Sequence, residues 1–262
     1  MPAREFSKVL ASGDAEWLWR LYGFLKPSDL VLEDLALARG VVVTYGRLDC
    51  VEARLVRKGS HGLIRIREGI PEYGRKRFAI AHELGHWELH KTKSQVFTCT
   101  EGDMVASYRT SAEEGEANSF AAGLLMPSIL FAQQSDGSVL TVEVVSDLAT
   151  YFGTSFTATA IRYVDTSQDP CAVVMSSDGR LRWWRGSKEF ERRFWLDARS
   201  RLSTNTVAGS VFAGGNRPSG PEEIDIAAWS DRVPDDREDS VFIEECLFVD
   251  RYDQIISLLR MP

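Results

Sequence analysis

His82, Glu83 and His86 are the residues in this chain whose types and spacing most directly imply chemistry. They lie in the run Arg77 to His90, which reads R-F-A-I-A-H-E-L-G-H-W-E-L-H. Histidines four positions apart stand one turn above each other on a helix face, so both imidazoles can reach one metal ion. Glu83, beside the first of them, offers a carboxylate able to take a proton from a water at that metal. Phe78, His82, Gly85, His86 and Leu89 recur at helical spacing, and no proline stands between Pro71 and Pro127, which predicts a helix from Pro71 to His90. Gly85 costs that helix roughly 1 kcal/mol of propensity, which close packing against another element would offset. An amphipathic helix with surface or core histidines could carry the same five residues by chance, but the apolar frame favours a metal. Zinc is the expected ion, and Mn2+ or Fe2+ would accept the same donors.

A third ligand is required. His90 lies four residues past His86, but three histidines at this spacing drift around the helix, so His90 is not expected to bind the metal. A metzincin extension would need Gly and His where this chain has Leu89 and Thr92. The ligand is therefore expected from a second helix, S-A-E-E-G-E-A-N-S-F-A-A-G-L-L-M over Ser111 to Met126, which Pro127 ends. Its apolar stripe is Ala117, Phe120, Ala121, Leu124 and Leu125. Glu113, Glu114 and Glu116 are all candidates, because catalytic zinc commonly takes two histidines and a glutamate and keeps a position for water. Glu114 shares a face with Ala117, Asn118, Ala121 and Leu125, at the margin of the buried side. Thr110 with Glu113, or Ser111 with Glu114, could form a capping box. We favour Thr110 with Glu113, which leaves Glu114 for the metal.

The elements that must position these residues are also legible. Trp17, Leu18, Leu21, Tyr22 and Leu25 make an apolar stripe on an N-terminal helix, and Pro27-Ser28-Asp29 breaks it before a second helix over Leu30 to Ala38. Val41 to Tyr45, Val51 to Val56 and Gly62 to Arg67 read as strands. The last partly alternates, as an edge strand does, and could pair with an extended peptide; the alternative is an ordinary sheet strand. Lys91 to Ser107 is polar and reads as a loop. Two helices follow from Thr141 to Tyr163, in a pattern like a helix-turn-helix. Arg162 is the only basic residue between Leu140 and Tyr163, too little charge for a phosphate footprint.

From Thr166 to Pro170 the pattern changes to strands and turns. Cys171 to Met175, the Asp178-Gly179 turn and Leu181 to Trp184 predict a hairpin. Arg180, Arg182 and Arg185 interleave with Trp183 and Trp184. Such a pattern is either a nucleic-acid patch or a half-buried strand with Trp183 inward, and we favour the strand. A helix over Phe190 to Leu202 and a final hairpin over Val241 to Leu259 complete the chain. No catalytic constellation stands out in this last third.

Composition bounds the function further. Of 262 residues, 44% are hydrophobic and 26% charged, with a net charge of -7 that argues against broad nucleic-acid binding. The amino terminus lacks the apolar core of a signal peptide, and no apolar run is long enough to span a bilayer. Cys50, Cys99, Cys171 and Cys246 are far apart with no C-x-x-C pair, as expected of reduced thiols in a cytoplasm.

Together, R-F-A-I-A-H-E-L-G-H-W-E-L-H and E-G-E-A-N-S-F-A-A-G-L-L-M-P resemble the ImmA/IrrE family of bacterial zinc metallopeptidases, over roughly residues 10 to 165. The resemblance implies an α+β protein with a compact thermolysin-like, gluzincin-type domain over residues 1–168, including a helical pair near 141–163. A small α+β domain over 169–262, sensory or substrate-docking, would follow. It implies that His82, His86 and Glu114 hold the zinc and that Glu83 is the general base, with Asn118 completing an E-x-x-x-N pattern and Glu116 left off the metal. Family members cleave helix-turn-helix repressors, so the resemblance implies a cytoplasmic endopeptidase that derepresses stress-response or mobile-element genes. A donor for the oxyanion would come from Tyr108, Arg109 or the carboxy-terminal half. Two alternatives are a non-catalytic zincin-fold binding module and a DNA-binding regulator using the 141–163 pair.

Overall fold

The computed structural model describes residues 3–49, 51–90, 96–99, 111–198, 200–230 and 241–262. It is an α+β protein. Contacts divide it into two compact units, Met1–Gln134 with Leu148–Ala158, and Ser135–Asp147 with Thr159–Pro262.

The first unit begins with α1, Ala3–Tyr22, then α2, Leu32–Ala38. The buried face of α1 is Ala11, Ala15, Leu18 and Trp19, whereas Trp17 is 47% and Leu25 83% exposed. The stripe expected from the large apolar residues is therefore mostly solvent-facing. Small residues win because they allow a close crossing with the later helix over Ala112–Leu125.

Strands β1 (Val41–Gly46), β2 (Ala53–Lys58) and β3 (His61–Arg67) precede α3, Tyr73–Leu89, and β4, Val96–Cys99. They form one sheet in the order β1-β3-β2-β4, with β1 parallel to β3 and the other pairs antiparallel. Hence β3 is an inner strand, the ordinary sheet strand of the two readings left open: its alternation reflects one covered face, where Ile64 and Ile66 are buried. Helix α3 packs on β2 and β3. A Cβ at Gly62 would lie 2.8 Å from the Trp87 ring, so that glycine admits the indole to the strand.

After α4, Ala112–Leu125, come α5, Ser128–Ser135, then α6, Val142–Phe152, and α7, Phe156–Thr166. Trp19 donates its indole N–H to the Leu124 carbonyl at 2.7 Å. A Cβ at Gly123 would meet Ser12 backbone at 2.9 Å, so α1 and α4 touch almost backbone to backbone. The helical pair does not belong wholly to either unit. Phe152 stacks on Phe131 at 5.4 Å in the first unit. In the second, Tyr163 donates to the Ser138 carbonyl at 2.6 Å and Asp165 pairs with Arg185. The units thus divide inside α6 and α7.

The second unit carries β5 (Cys171–Ser177), β6 (Arg180–Gly186), α8 (Lys188–Arg193), α9 (Val207–Phe212), β7 (Glu222–Asp225), β8 (Val241–Val249) and β9 (Gln254–Arg260). The strands make an antiparallel sheet in the order β6-β5-β9-β8-β7. Asp178 and Gly179, at φ 51° and 67°, turn the first hairpin as the primed type does. A register shift at Met175/Ser176 sends Trp184, 7% exposed, into the core, which corrects the expected inward Trp183. Arg182 pairs with Asp178 and Arg185 with Asp165, so these two arginines face acids. Helix α8 also stops at Arg193, well short of Leu202, because Phe194 and Leu196 enter the core from extended backbone. Among the described residues, no helix is long and apolar enough to cross a membrane.

The crossing of α3 and α4 is the contact on which the next section depends. A Cβ at Gly85 would meet the Ala117 Cα at 3.0 Å and carbonyl oxygen at 3.1 Å, and the Phe120 Cβ at 3.2 Å. Gly85→Ala gains roughly 1 kcal/mol of helix propensity but overpacks against backbone, at about 1–3 kcal/mol. The expected outcome is a net loss of stability, read as a lower midpoint in thermal or denaturant unfolding. A midpoint raised by the substitution would show that the helices have room to separate.

Candidate metal centre

Helix α3 presents His82 and His86 on one face, both fully buried, with their Nε2 atoms 3.1 Å apart. Arg57 helps to finish this helix, its guanidinium 3.7 Å over the Trp87 ring and donating to the Trp87 carbonyl at 2.5 Å. A cation at the carbonyl end of a helix complements its dipole. Arg39 makes a two-pronged pair with Glu88, both contacts at 2.8 Å, and accepts the Trp87 indole N–H on its carbonyl.

Helix α4 delivers the carboxylate. Its N-cap is Ser111, whose hydroxyl accepts the Glu114 backbone N–H at 3.3 Å. The favoured Thr110–Glu113 box involves Thr110, which lies outside the described residues. The cap uses the backbone of Glu114, while its side chain turns to the histidines. Glu114 Oε2 stands 3.1 Å from His82 Nε2, and Oε1 3.3 Å from His86 Nε2. Among the described residues, His82, His86 and Glu114 form the group of donors able to hold a metal ion. Glu116 points elsewhere, to His90.

The donor set fits zinc. A tetrahedral ion with bonds of about 2.0–2.1 Å has ligand edges of about 3.3–3.4 Å, close to the 3.1–3.3 Å separations here. Burial pushes the His86 imidazole below its ordinary range, toward the neutral form that binds metal, although Glu114 opposes this. Burial also pushes the Glu114 carboxyl up, but hydrogen bonds and charge from His82 and His86 outweigh it and hold the group well below 4.5. Neutral imidazoles beside an ionised carboxylate are the state that ligation requires.

An outer layer surrounds the donors. His82 Nδ1 lies 2.9 Å from Asn118 Oδ1, and His86 Nδ1 lies 3.0 Å from His90 Nδ1. His90 Nε2 in turn lies 3.0 Å from Glu116 Oε2. Sequence reasoning gave His90 and Glu116 no role; their i, i+4 and i, i+2 spacing from the expected ligands was the available signal. Glu83 is fully buried on α3 beside His82. Tyr108 and Arg109 lie outside the described residues.

Residues 37–163 match the family model of the IrrE N-terminal-like domain, Peptidase_M78. Among solved structures, a Mycobacterium tuberculosis transcriptional regulator is similar at 16% identity and a TM-score of 0.63. That match covers 100% of this chain and 82% of the other, and at this identity it speaks for fold alone. No curated protein matches the chain.

The carboxylate anchor has a pH signature. A group held below its ordinary value contributes stability that is present above pH 4.5 and lost as pH falls toward its folded value. In metal-free protein, wild type is therefore expected to lose its advantage over Glu114→Gln as pH drops below 4.5. Unfolding midpoints across pH check this, and a gap that stays constant or widens would refute the anchoring of Glu114 by the histidines.

Proposed function

We propose, from the match of residues 37–163 to the IrrE N-terminal-like domain, that this chain is a cytoplasmic zinc endopeptidase of the ImmA/IrrE kind that cleaves a helix-turn-helix transcriptional repressor. Cleavage would derepress stress-response or mobile-element genes. The observation that carries the reading is the convergence of His82, His86 and Glu114 from two helices on one point. In this reading those three hold the zinc, and Mn2+ or Fe2+ would use the same donors.

Zinc supplies Lewis acidity toward the scissile carbonyl and lowers the pKa of water to about 7 when bound. Glu83 is the general base: its carboxylate takes the proton of the attacking water and passes it to the leaving amine. Its burial next to His82 keeps the proton transfer away from bulk water. The small sheet unit, residues 169–262 in the main, serves substrate docking or sensing. The pairing of Arg182 and Arg185 with acids supports a partner that is protein rather than nucleic acid.

The test is cleavage of the helix-turn-helix repressor encoded beside this gene, by wild type and by Glu83→Gln, with metal content determined for each. Wild type is expected to cut and to hold one zinc. Glu83→Gln is expected to hold zinc equally and to cut slower by a factor on the order of 10²–10⁴. Equal cutting by the two would remove Glu83 from the chemistry. Zinc in both without any cutting would favour a binding module, and no stoichiometric metal in either would end the reading.

A further inference from the structure

A neutral imidazole has one N–H and one lone pair. If Nε2 gives its lone pair to a metal, the proton must sit on Nδ1, and a buried N–H needs an acceptor. For His82 the acceptor is the Asn118 side-chain oxygen, 2.9 Å away. For His86 the neighbour in that place is a second imidazole. The Nδ1 of His86 faces His90 Nδ1 at 3.0 Å, and two ring nitrogens can bond only if one is bare.

Glu116 decides which one. Its Oε2 lies 3.0 Å from His90 Nε2, and an ionised carboxylate only accepts, so it draws the His90 proton to Nε2. His90 Nδ1 is then bare and accepts from His86 Nδ1–H, which leaves His86 Nε2 with its lone pair toward Glu114 and His82. Each step follows from the one before it. His90 is 3% exposed, so this chain of bonds is shielded from bulk solvent.

We propose that His90 and Glu116 are positioning residues, which through a His86–His90–Glu116 chain of hydrogen bonds hold the His86 ring and its tautomer ready for the metal. The inference rests on the metal-site reading above. It assigns work to a third histidine that lies outside the donor group itself. The rival account is that His90 merely fills space where α3 ends.

Zinc dissociation constants of the full chain, measured by chelator competition, separate the two accounts. His90→Leu removes the acceptor and is expected to weaken zinc binding by roughly 10–100-fold. His90→Asn places Oδ1 where the imidazole Nδ1 stood, so it is expected to recover much of that loss although Glu116 is disconnected. Glu116→Leu should weaken binding no more than His90→Leu, and the double variant should be no worse than His90→Leu alone, because both residues act through one path.

Equal weakening by His90→Leu and His90→Asn would overturn the proposal in favour of space filling, and additive losses in the double variant would overturn the single path. Nitrogen NMR on zinc-loaded wild type tests it without any variant. The expected His90 proton is on Nε2, and a proton on Nδ1 would overturn the chain even if every variant misfolded. A wild type that takes up no zinc would sink both this inference and the proposed function. A wild type that binds zinc, with His90→Leu unchanged, would sink this inference alone.

Discussion

The structure of the candidate site depends on how closely α3 and α4 cross. Glu114 has only two methylenes with which to reach His82 and His86, so the two helices must meet nearly backbone to backbone. Gly85 against Ala117 makes that possible, since the space for one added methyl group is already taken by the Ala117 main chain. The same economy recurs on the far side of α4, where Gly123 lies against Ser12 of α1 and Trp19 is tied to the Leu124 carbonyl. Helix α3 is held in turn by the sheet, with Trp87 seated on Gly62 under Arg57. Helix α4 is thus gripped between two partners, and its N-terminus, capped by Ser111, has one place to be.

What was legible in the sequence was what a single helix encodes. The i, i+4 histidines and the α3 and α4 segments follow from local periodicity, and the α+β class was what the resemblance implied. The choice of Glu114 among Glu113, Glu114 and Glu116 does not, because it depends on how α4 is rotated against α3. The helix face and the capping argument only favoured Glu114, the resemblance implied it, and the structure brings Glu114 to the histidines. The misreadings share one cause. Trp17 and Leu25 looked like a core stripe, yet Ala11 and Ala15 are buried, because proximity to α4 selects small side chains over large ones. Whether β3 was an edge or an ordinary strand stayed open because strand order is not local information. Trp183 and Trp184 exchanged roles through a bulge that no alternation pattern reveals.

The polar layer around the histidines explains why a motif is not yet a site. Fully burying two imidazoles beside a carboxylate is costly unless each polar atom has a partner of the right kind. Burial drives His86 neutral, while the two histidines keep Glu114 ionised against the same burial. The tautomers that bind a metal would set three electron-rich atoms facing one another, an arrangement that opposes itself in the absence of a cation. Packing must therefore hold it in place, and the packing in question is the α3–α4 crossing together with the bonds from Asn118 and His90. A helix with the same five residues but no such surroundings would let its imidazoles rotate toward water. The chemistry that the motif implies is thus a property of the neighbours as much as of the histidines.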